Sequence, residues 1–537
     1  MSKNVLFIMC DQLRNDYLGC AGHPTIRTPH IDALAARGVR FSRAYVQSPI
    51  CGPSRMCAYT GRYVRSHGTD YNNVPLRVGE WTLGDHLNSF GARAVLCGKT
   101  HARADIDGMK RLGIDPASPK GRQIGEAGFE VWDRLDGMHP PGLKHPSHYN
   151  DYLRENGFDG DNPWQDWAAS VVDTDGTVKN GWLNEHAHLP ARIPEEHSET
   201  AYATNRAMAF IETAGDAPWC LHLSYIKPHW PMVAPAPYHA MYGPDDVVPV
   251  VRSEAERDSA HPVYQVAQDR KHATIYNRPG ARERVVACYM GLITQIDDHI
   301  GRLMAWLDET GRAEDTLIVF TSDHGDYLGD HWMGEKQFFH DAAVRVPLIV
   351  VDPTPEADAT RGTVDTRLAE MIDILPTTVE FMGGELRSNI LEGRSLLPLV
   401  RGENVVWRDC VFSEADFSRS PARQELDRPT DQCRMVMAFD GRWKYVHTQG
   451  LRPMLFDLEA DPDEMTDLGT HPDYEAVRAR MKNRVLDWAF GGKSRITQTD
   501  AFIETKPPEF AKGVFVGFWD RAEADQALAA YQQEKAG

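Results

Sequence analysis

Short apolar runs that alternate with helical patterns constrain the fold of this 537-residue chain more than any other feature. A short continuous apolar run is typical of a strand that is buried on both faces. The clearest runs lie at residues 5–9, 94–97, 220–225, 316–321 and 346–351. Between them, amphipathic patterns such as the one over residues 283–309 predict helices that return the chain to the next strand. We therefore predict an α/β fold in which helices sandwich a large mixed, mostly parallel sheet.

The C-terminal region predicts a different, antiparallel structure. Short strand-like segments at residues 411–412, 435–438 and 443–446 accompany a turn at Asp440-Gly441, a pattern typical of hairpins. A helical pattern over residues 473–488 would cover one face of this sheet. We expect a catalytic α/β domain, a smaller subdomain of antiparallel sheet plus helix, and a tail, over residues 1–400, 401–490 and 491–537 respectively.

Two long stretches lack a clear period. Residues 103–195 are rich in Gly, Pro, His and Trp, and residues 235–280 are similarly irregular. We interpret the first stretch as an excursion over the face of the sheet that carries the site, since long irregular segments in compact domains are usually functional.

Net charge and cysteine content indicate which binding partners and which cellular compartment to expect. The formal net charge of −19 makes a nucleic acid an unexpected partner. No stretch approaches the ~18 apolar residues of a membrane span, so we expect no membrane partner. The nine cysteines show no disulfide framework, and the apolar run at residues 5–10 is too short for a signal-peptide core. We expect a soluble, cytoplasmic protein with reduced thiols.

The predicted tail is unusually aromatic for a terminal segment. Its aromatic side chains include Phe502, Phe510, Phe515, Phe518 and Trp519. Such side chains usually dock onto a surface. Packing on the same chain and packing on a neighbouring subunit are both open, and the second would make a homodimer or a homotetramer.

Polar pairs follow two of the predicted strands. Asp11-Gln12 and Asp323-His324 supply two carboxylates, an amide oxygen and an imidazole. Because ligands gather at the carboxyl ends of parallel strands, we expect these pairs to meet. Such a donor set suits Ca²⁺, Mg²⁺ or Mn²⁺ better than structural zinc, and the imidazole favours Mn²⁺. The alternative for each pair is an ordinary polar turn after a strand.

Cations and imidazoles are predicted near the same edge of the sheet. Arg55, Lys99 and Lys336 could neutralise the oxygens of a tetrahedral anion, although a solvated surface charge is the usual role of such residues. His101 and His229 are the candidates for acid–base chemistry, because imidazole titrates nearest to neutral pH. The alternative is a structural or exposed histidine, of which a chain with 22 histidines has many.

The stretch Cys51-Gly52-Pro53-Ser54-Arg55 carries two interpretations. One is a Gly-Pro turn ahead of a helix, with a small buried cysteine and a surface arginine. The other is a modification site, since Cys-x-Pro-x-Arg resembles the site at which type I sulfatases oxidise a cysteine to formylglycine. Five residues alone do not decide between them.

Further stretches in matching order extend the resemblance to most of the chain. They lie at residues 4–12, 28–32, 60–62, 98–101, 228–231, 298–303, 321–326 and 455–458. On these motifs the chain resembles a type I sulfatase of the alkaline phosphatase superfamily, over roughly residues 4–385 and the C-terminal hairpin. The resemblance implies an alkaline phosphatase-like fold.

The resemblance also implies a cofactor set. Cys51 would be converted to formylglycine by a formylglycine-generating enzyme, with Arg55 supporting it. One divalent metal ion, Mn²⁺ or Ca²⁺, would be bound by Asp11, Gln12, the Cys51-derived group, Asp323 and His324. A formylglycine hydrate has two hydroxyls on one carbon: one attacks the ester, and deprotonation of the other expels sulfate.

The remaining roles come from the same resemblance. Lys99 and Lys336 would hold the anionic oxygens, and His229 would protonate the leaving alcohol. His101 would take the proton that collapses the hemiacetal. Asn73 and Thr100 are candidate substrate-binding residues.

Departures from the family pattern leave the substrate open. Many arylsulfatases have Asp-Asp and Asp-Asn where this chain has Asp11-Gln12 and Asp323-His324. The pairs found here, and more weakly Asn73, resemble phosphonate monoester hydrolases, whereas Lys99-x-His101 is sulfatase-like. We expect a hydrolase of small anionic esters that is of arylsulfatase type and is promiscuous toward phosphonate monoesters and phosphate diesters. The alternatives are a phosphonate monoester hydrolase or phosphodiesterase, and a non-catalytic, metal-stabilised binding protein.

Overall fold

The computed structural model describes residues 3–137 and 147–536, and a large mixed sheet lies at its centre. In spatial order the eight strands are Thr363–Asp365, Val39–Phe41, Leu348–Val351, Thr316–Ser322, Asn4–Asp11, Trp219–Pro228, Arg93–Gly98 and Glu130–Arg134. Leu348–Val351 runs antiparallel to both of its neighbours, and the other pairings in this sheet are parallel. The predicted mixed, mostly parallel sheet is confirmed.

The central strand, Asn4–Asp11, divides the hydrophobic core into two layers. Its alternate side chains enter two separate clusters, with Val5, Phe7 and Met9 in one and Leu6, Ile8 and Cys10 in the other. All six are fully buried. Burial on both faces explains why the run is apolar at successive positions instead of at alternate ones.

Helices cover both faces of the sheet, as the alternating pattern predicts. The longer ones are Pro29–Arg37, Cys51–Thr60, His148–Glu155, Glu199–Thr213, Ala281–Glu309, Ile374–Phe381 and Glu475–Gly491. The apolar stripe of Ala281–Glu309 belongs to the same cluster as Leu6, Ile8 and Cys10. This long helix therefore closes one face of the central strand.

The weakly periodic stretches contain more structure than their sequences predict. Glu130–Arg134 forms the edge strand of the large sheet. Three of its five residues are charged, and as an edge strand it is buried only in part, so no apolar run marks it. Short helices also occur, at Ile106–Arg111, Pro119–Gly125, Glu254–Asp258, Pro262–Gln268 and Lys271–Thr274. Residues 138–146 of the predicted excursion lie outside the described residues.

A second sheet follows in the C-terminal region, and all its pairings are antiparallel, as predicted. Its strands are Val411–Asp416, Arg434–Phe439, Trp443–Thr448 and Met454–Asp457. Met481 and Val485, from the helix that covers it, share a core cluster with Ala438 and with Cys57. The helix that begins at Cys51 thus packs against the C-terminal sheet.

The chain forms two compact units. The first comprises the described parts of Met1–Leu386 and Leu391–Gly492, and the second comprises Arg387–Ile390 and Lys493–Gly537. Asp500–Glu504 and Arg521–Ala536 are the α-helices of the tail. The tail leaves Trp519 92% exposed. The predicted docking of the tail, and the predicted boundaries at residues 400 and 490, stay predictions.

The cysteines and the helices bear on two further expectations. All nine cysteines are free thiols. Across the described ranges, none of the helices combines the length and the apolar character that a membrane crossing requires.

Candidate active site

Four polar side chains meet at the carboxyl edge of the large sheet. Asp11 ends the central strand, and Asp323, Lys99 and His229 each follow the end of a parallel strand in the same sheet. All four are at least nine-tenths buried. The fold therefore brings these four side chains together, as their positions at strand ends predict.

Cys51 lies at the centre of this convergence, as the first residue of the helix Cys51–Thr60. Its Sγ atom is 3.1 Å from Nε2 of His324 and 3.8 Å from Oδ1 of Asp11. Ligand atoms of Asp11, Cys51, Asp323 and His324 all lie within 4.8 Å of one another. The interpretation of the stretch as a turn with a surface arginine is wrong, because Gly52-Pro53 lies inside the helix and Arg55 is fully buried.

The guanidinium of Arg55 ties this cluster together. Its Nε donates to Oδ2 of Asp323 at 2.8 Å, and its Nη2 donates to Oδ2 of Asp11 at 3.3 Å. Its Nη1 donates to the carbonyl of Lys99 at 2.9 Å and to Oγ of Ser224 at 2.8 Å. A buried guanidinium offsets the free-energy cost of its desolvation by donating hydrogen bonds to several partners.

Two lysines give the centre a positive potential. Nζ of Lys99 donates to Oδ2 of Asp11, and Nζ of Lys336 donates to Oε1 of Gln12 at 2.9 Å. Burial alone raises the pKa of the Cys51 thiol, but Lys336, Lys99 and His324 outweigh it and hold that pKa well below its usual value. The surroundings of residue 51 therefore favour a negative charge there.

His229 and Lys336 form a hydrogen-bonded pair. Nδ1 of His229 donates to the carbonyl of Trp230 at 2.9 Å, so its Nε2 accepts from Nζ of Lys336 at 3.1 Å. Burial and the neighbouring Lys336 lower the pKa of His229 to about 4. Near neutral pH the imidazole is uncharged, and Lys336 holds the proton of the pair.

His324 is oriented as a ligand. Its Nδ1 donates to the carbonyl of Gly325 at 2.8 Å, which directs Nε2 at Sγ of Cys51. A hydrogen bond of this kind fixes the tautomer in metal-binding histidines. Two buried carboxylates and one such imidazole fit a divalent cation that accepts oxygen and nitrogen ligands.

Gln12 is held between two partners. Its Oε1 accepts from Lys336, and its amide nitrogen donates to Oδ2 of Asp326. Asp326 is buried, and burial raises its pKa to about 6. We did not single out Asp326 from the sequence, although a carboxylate three residues after Asp323 in the same motif is a visible signal.

Asn72 is a second residue that the sequence did not mark. Its Oδ1 accepts from the backbone N–H of Gly52 at 2.8 Å and so holds the residue that follows Cys51. Asn73, the predicted substrate-binding residue, is exposed, and its Oδ1 accepts from Nε of Arg103 at 2.9 Å.

His101 and Thr100 point in different directions. His101 lies within hydrogen-bonding reach of the Cys51 thiol and has a backbone φ of +58°. Thr100 is fully buried, and its hydroxyl donates to Oε2 of Glu126 at 3.0 Å. The catalytic and metal-binding residues predicted from the sequence all lie in one cluster. By contrast, the side chain of Asn73 contacts Arg103, and that of Thr100 contacts Glu126 and the backbone N–H of Ala102.

Comparison of sequences identifies similar proteins. A family model described as Sulfatase matches residues 3–384, and a model of the C-terminal region of N-sulphoglucosamine sulphohydrolase matches residues 329–489. The chain is 32% identical over 524 residues to the multifunctional alkaline phosphatase superfamily protein PehA of Trinickia caryophylli, covering 92% of this chain and 96% of that protein. It is 27% identical over 480 residues to an arylsulfatase of Clostridium perfringens, covering 88% and 92%.

Comparison of structures gives related results. The phosphonate monoester hydrolase of Silicibacter pomeroyi has a TM-score of 0.80 and 30% identity, and the match covers 92% of this chain and 96% of that one. The phosphonate monoester hydrolase of Agrobacterium radiobacter has a TM-score of 0.78 and 29% identity, with coverage of 91% and 95%.

We predict that Arg55→Lys lowers the free energy of unfolding by about 3 kcal/mol, because an ammonium group cannot bridge both carboxylates and leaves buried charge uncompensated. Urea unfolding followed by circular dichroism measures the loss. Arg37→Lys is the control, since Arg37 binds Asp308 through two nitrogens at 2.9 and 3.0 Å but is exposed. The control should change stability by only about 0.5 kcal/mol, and equal losses in the two variants would contradict the bridging role.

Proposed function

Because this chain belongs to the sulfatase family, we propose that it hydrolyses sulfate monoesters of the aryl type by means of an oxidised Cys51 and one divalent cation. Hydrolysis of sulfate or phosphonate esters is the activity class of the family and of the similar solved structures. The finer proposal adds promiscuity toward phosphonate monoesters and phosphate diesters, because these anions share a tetrahedral centre.

One observation carries the proposal: Sγ of Cys51 lies among the ligand atoms of Asp11, Asp323 and His324. A cysteine at the start of a helix, with lysines nearby, occupies a position that favours an anion. Sγ marks the place where the oxygens of an oxidised residue 51 would stand.

The metal proposal follows from the donor set. Asp11, Asp323, His324 and the oxidised group of residue 51 would hold Mn²⁺ or Ca²⁺. Gln12 would join them if its Oε1 exchanged Lys336 for the cation. When bound, the cation supplies a Lewis acid, and the hydrate of a formylglycine at residue 51 supplies the nucleophilic hydroxyl.

The other side chains of the cluster handle charge and protons. Lys99 and Lys336 would bind the anionic oxygens of the ester and stabilise the charge that builds up on them. Since His229 is uncharged near neutral pH, we propose that it works together with Lys336, whose proton reaches the leaving alcohol directly or through Nε2. His101 is within reach of residue 51 and would accept its proton.

A second candidate makes phosphonate monoesters the main substrates. It is favoured by the TM-scores of 0.80 and 0.78 with two phosphonate monoester hydrolases, and by the amide of Gln12 and the imidazole of His324 at the two pair positions.

We predict that the peptide containing residue 51 carries an aldehyde or its hydrate instead of a thiol when the protein is made in a host with a formylglycine-generating enzyme. Peptide mass spectrometry measures this change. Cys51→Ala should lower kcat by at least about 10³-fold, because the nucleophile is lost.

Cys57→Ser is the matched control, since Cys57 is a buried cysteine of the same helix that lies outside the site. It should leave the modification and the activity of the folded protein in place. Full activity in a sample that contains only the thiol at residue 51 would refute the mechanism.

We also predict that the purified protein holds a divalent metal ion and that His324→Ala loses most of it, because the variant lacks the imidazole ligand. Elemental analysis after dialysis measures the bound metal, and a chelator should lower the melting temperature of the wild type. Asp298→Asn removes a carboxylate from a group of possible ligands outside the site and should leave the metal content unchanged. Equal metal contents in His324→Ala and the wild type would rule out the site.

For the choice between sulfur and phosphorus, we predict a higher kcat/KM for an aryl sulfate than for the aryl phosphonate monoester with the same leaving group. The reason is the Lys99-x-His101 arrangement beside residue 51, which is the sulfatase-like part of the site. Steady-state kinetics on the matched pair measures the ratio. A ratio that favours the phosphonate would establish the second candidate instead.

A further inference from the structure

A cavity lined by two arginines neighbours the proposed active site. The space inside it is about 100 Å³. The side chains that matter for binding are Tyr71, Arg270, His272, Gln337 and Arg419. A space of this size suits a compact group such as a carboxylate or a sulfate, and it is smaller than a site that encloses a whole small molecule.

Two walls of the cavity are continuous with the site. Tyr71 precedes Asn72, which binds the N–H of Gly52, and the Tyr71 carbonyl lies 3.7 Å from where a Cβ on Gly52 would stand. Gln337 follows Lys336, which contacts Gln12 and His229. A substrate held at residue 51 would therefore have this cavity beside it.

The two guanidinium groups are fixed in place but not saturated. Nη1 of Arg419 donates to Oδ1 of Asp70 at 3.3 Å, and its guanidinium lies 5.4 Å from the ring centre of Tyr71. Nη2 of Arg270 donates to Oε1 of Glu425. A guanidinium has five N–H donors, so each keeps donors that no side chain in the described ranges accepts.

The carboxylates shape the selectivity of the cavity. Asp70 and Glu425 balance the charge of the arginines, so the cavity has little net positive charge with which to attract a polyanion. A compact oxyanion that accepts two parallel hydrogen bonds from a guanidinium gains most.

We propose that this cavity receives a second anionic group of the substrate, a carboxylate or a sulfate, and that Arg270 and Arg419 recognise it. The inference rests on the proposed function, since the ester group itself must occupy the Cys51 site. The substrate class is thus a sulfate ester of an alcohol that carries a further acidic group.

The test uses aryl sulfates in pairs. Each pair has a carboxylate and the corresponding methyl ester at the same position: on the phenol ring, on a one-carbon arm, or on a second ring. We measure kcat/KM for the wild type, Arg270→Gln, Arg419→Gln and Arg419→Lys. For at least one position the wild type should prefer the carboxylate by about tenfold, as expected for one charge-assisted pair. A second series replaces the carboxylate with a sulfonate, which represents the sulfate group without a second scissile ester.

In each Arg→Gln variant the ratio of kcat/KM for the carboxylate to kcat/KM for the methyl ester should fall to about one. Turnover of the methyl ester should stay unchanged, because the lost guanidinium is a partner of the second anion only. Arg419→Lys should keep part of the preference. The methyl ester and the carboxylate differ in leaving-group reactivity, and comparison of one pair across the variants removes that difference. Arg480→Gln is the control, because Arg480 is also exposed and paired with one carboxylate, Asp440, outside the cavity.

The outcomes separate the inference from the proposed function. If the methyl esters are hydrolysed but no spacing shows a preference for the anion, the inference is wrong and the proposed function stands. A preference that survives in either Arg→Gln variant also refutes the inference. If the modified protein hydrolyses neither member of any pair, the proposed function fails and the inference fails with it.

Discussion

The bridge from Arg55 to Asp11 and Asp323 is the interaction on which the site depends. Two carboxylates at the ends of adjacent parallel strands repel each other, and one guanidinium between them lowers that cost. The same guanidinium donates to the carbonyl of Lys99 and so fixes the position of a third strand end. Because Arg55 lies one helical turn after Cys51, the bridge also sets the position of residue 51. The strand ends, the proposed metal ligands and the proposed nucleophile are thereby held as one unit.

Much of this arrangement could be predicted from the sequence, because a physical rule links strand ends to ligand sites. Asp11, Lys99, His229 and Asp323 follow apolar runs, and the edge of a parallel sheet brings such positions together. The family resemblance then assigned roles that spacing alone left open, above all for Cys51 and Lys336. The antiparallel C-terminal sheet was predictable for a similar reason, since a turn between alternating segments is a local signal.

The remaining features depend on contacts that no local pattern records. An apolar run looks the same in a parallel and an antiparallel strand, so the reversed direction of Leu348–Val351 had no sequence signal. Glu130–Arg134 escaped prediction because an edge strand needs little apolar surface. Asp326 accepts a hydrogen bond from Gln12, which is 314 positions away along the chain. Asn72 accepts one from the backbone N–H of Gly52. A sequence shows which side chains can donate and accept, but their partners are chosen by the fold.

The burial of residue 51 has a consequence for the order of events in biosynthesis. Its side chain is 1% exposed, and the residues around it come from strand ends more than 270 positions apart along the chain. The proposed oxidation needs an enzyme to reach this side chain, which the folded chain does not expose. On the proposed function, the oxidation would therefore precede the closure of the sheet, during or soon after synthesis. A chain that folded first would keep its thiol until it unfolded again.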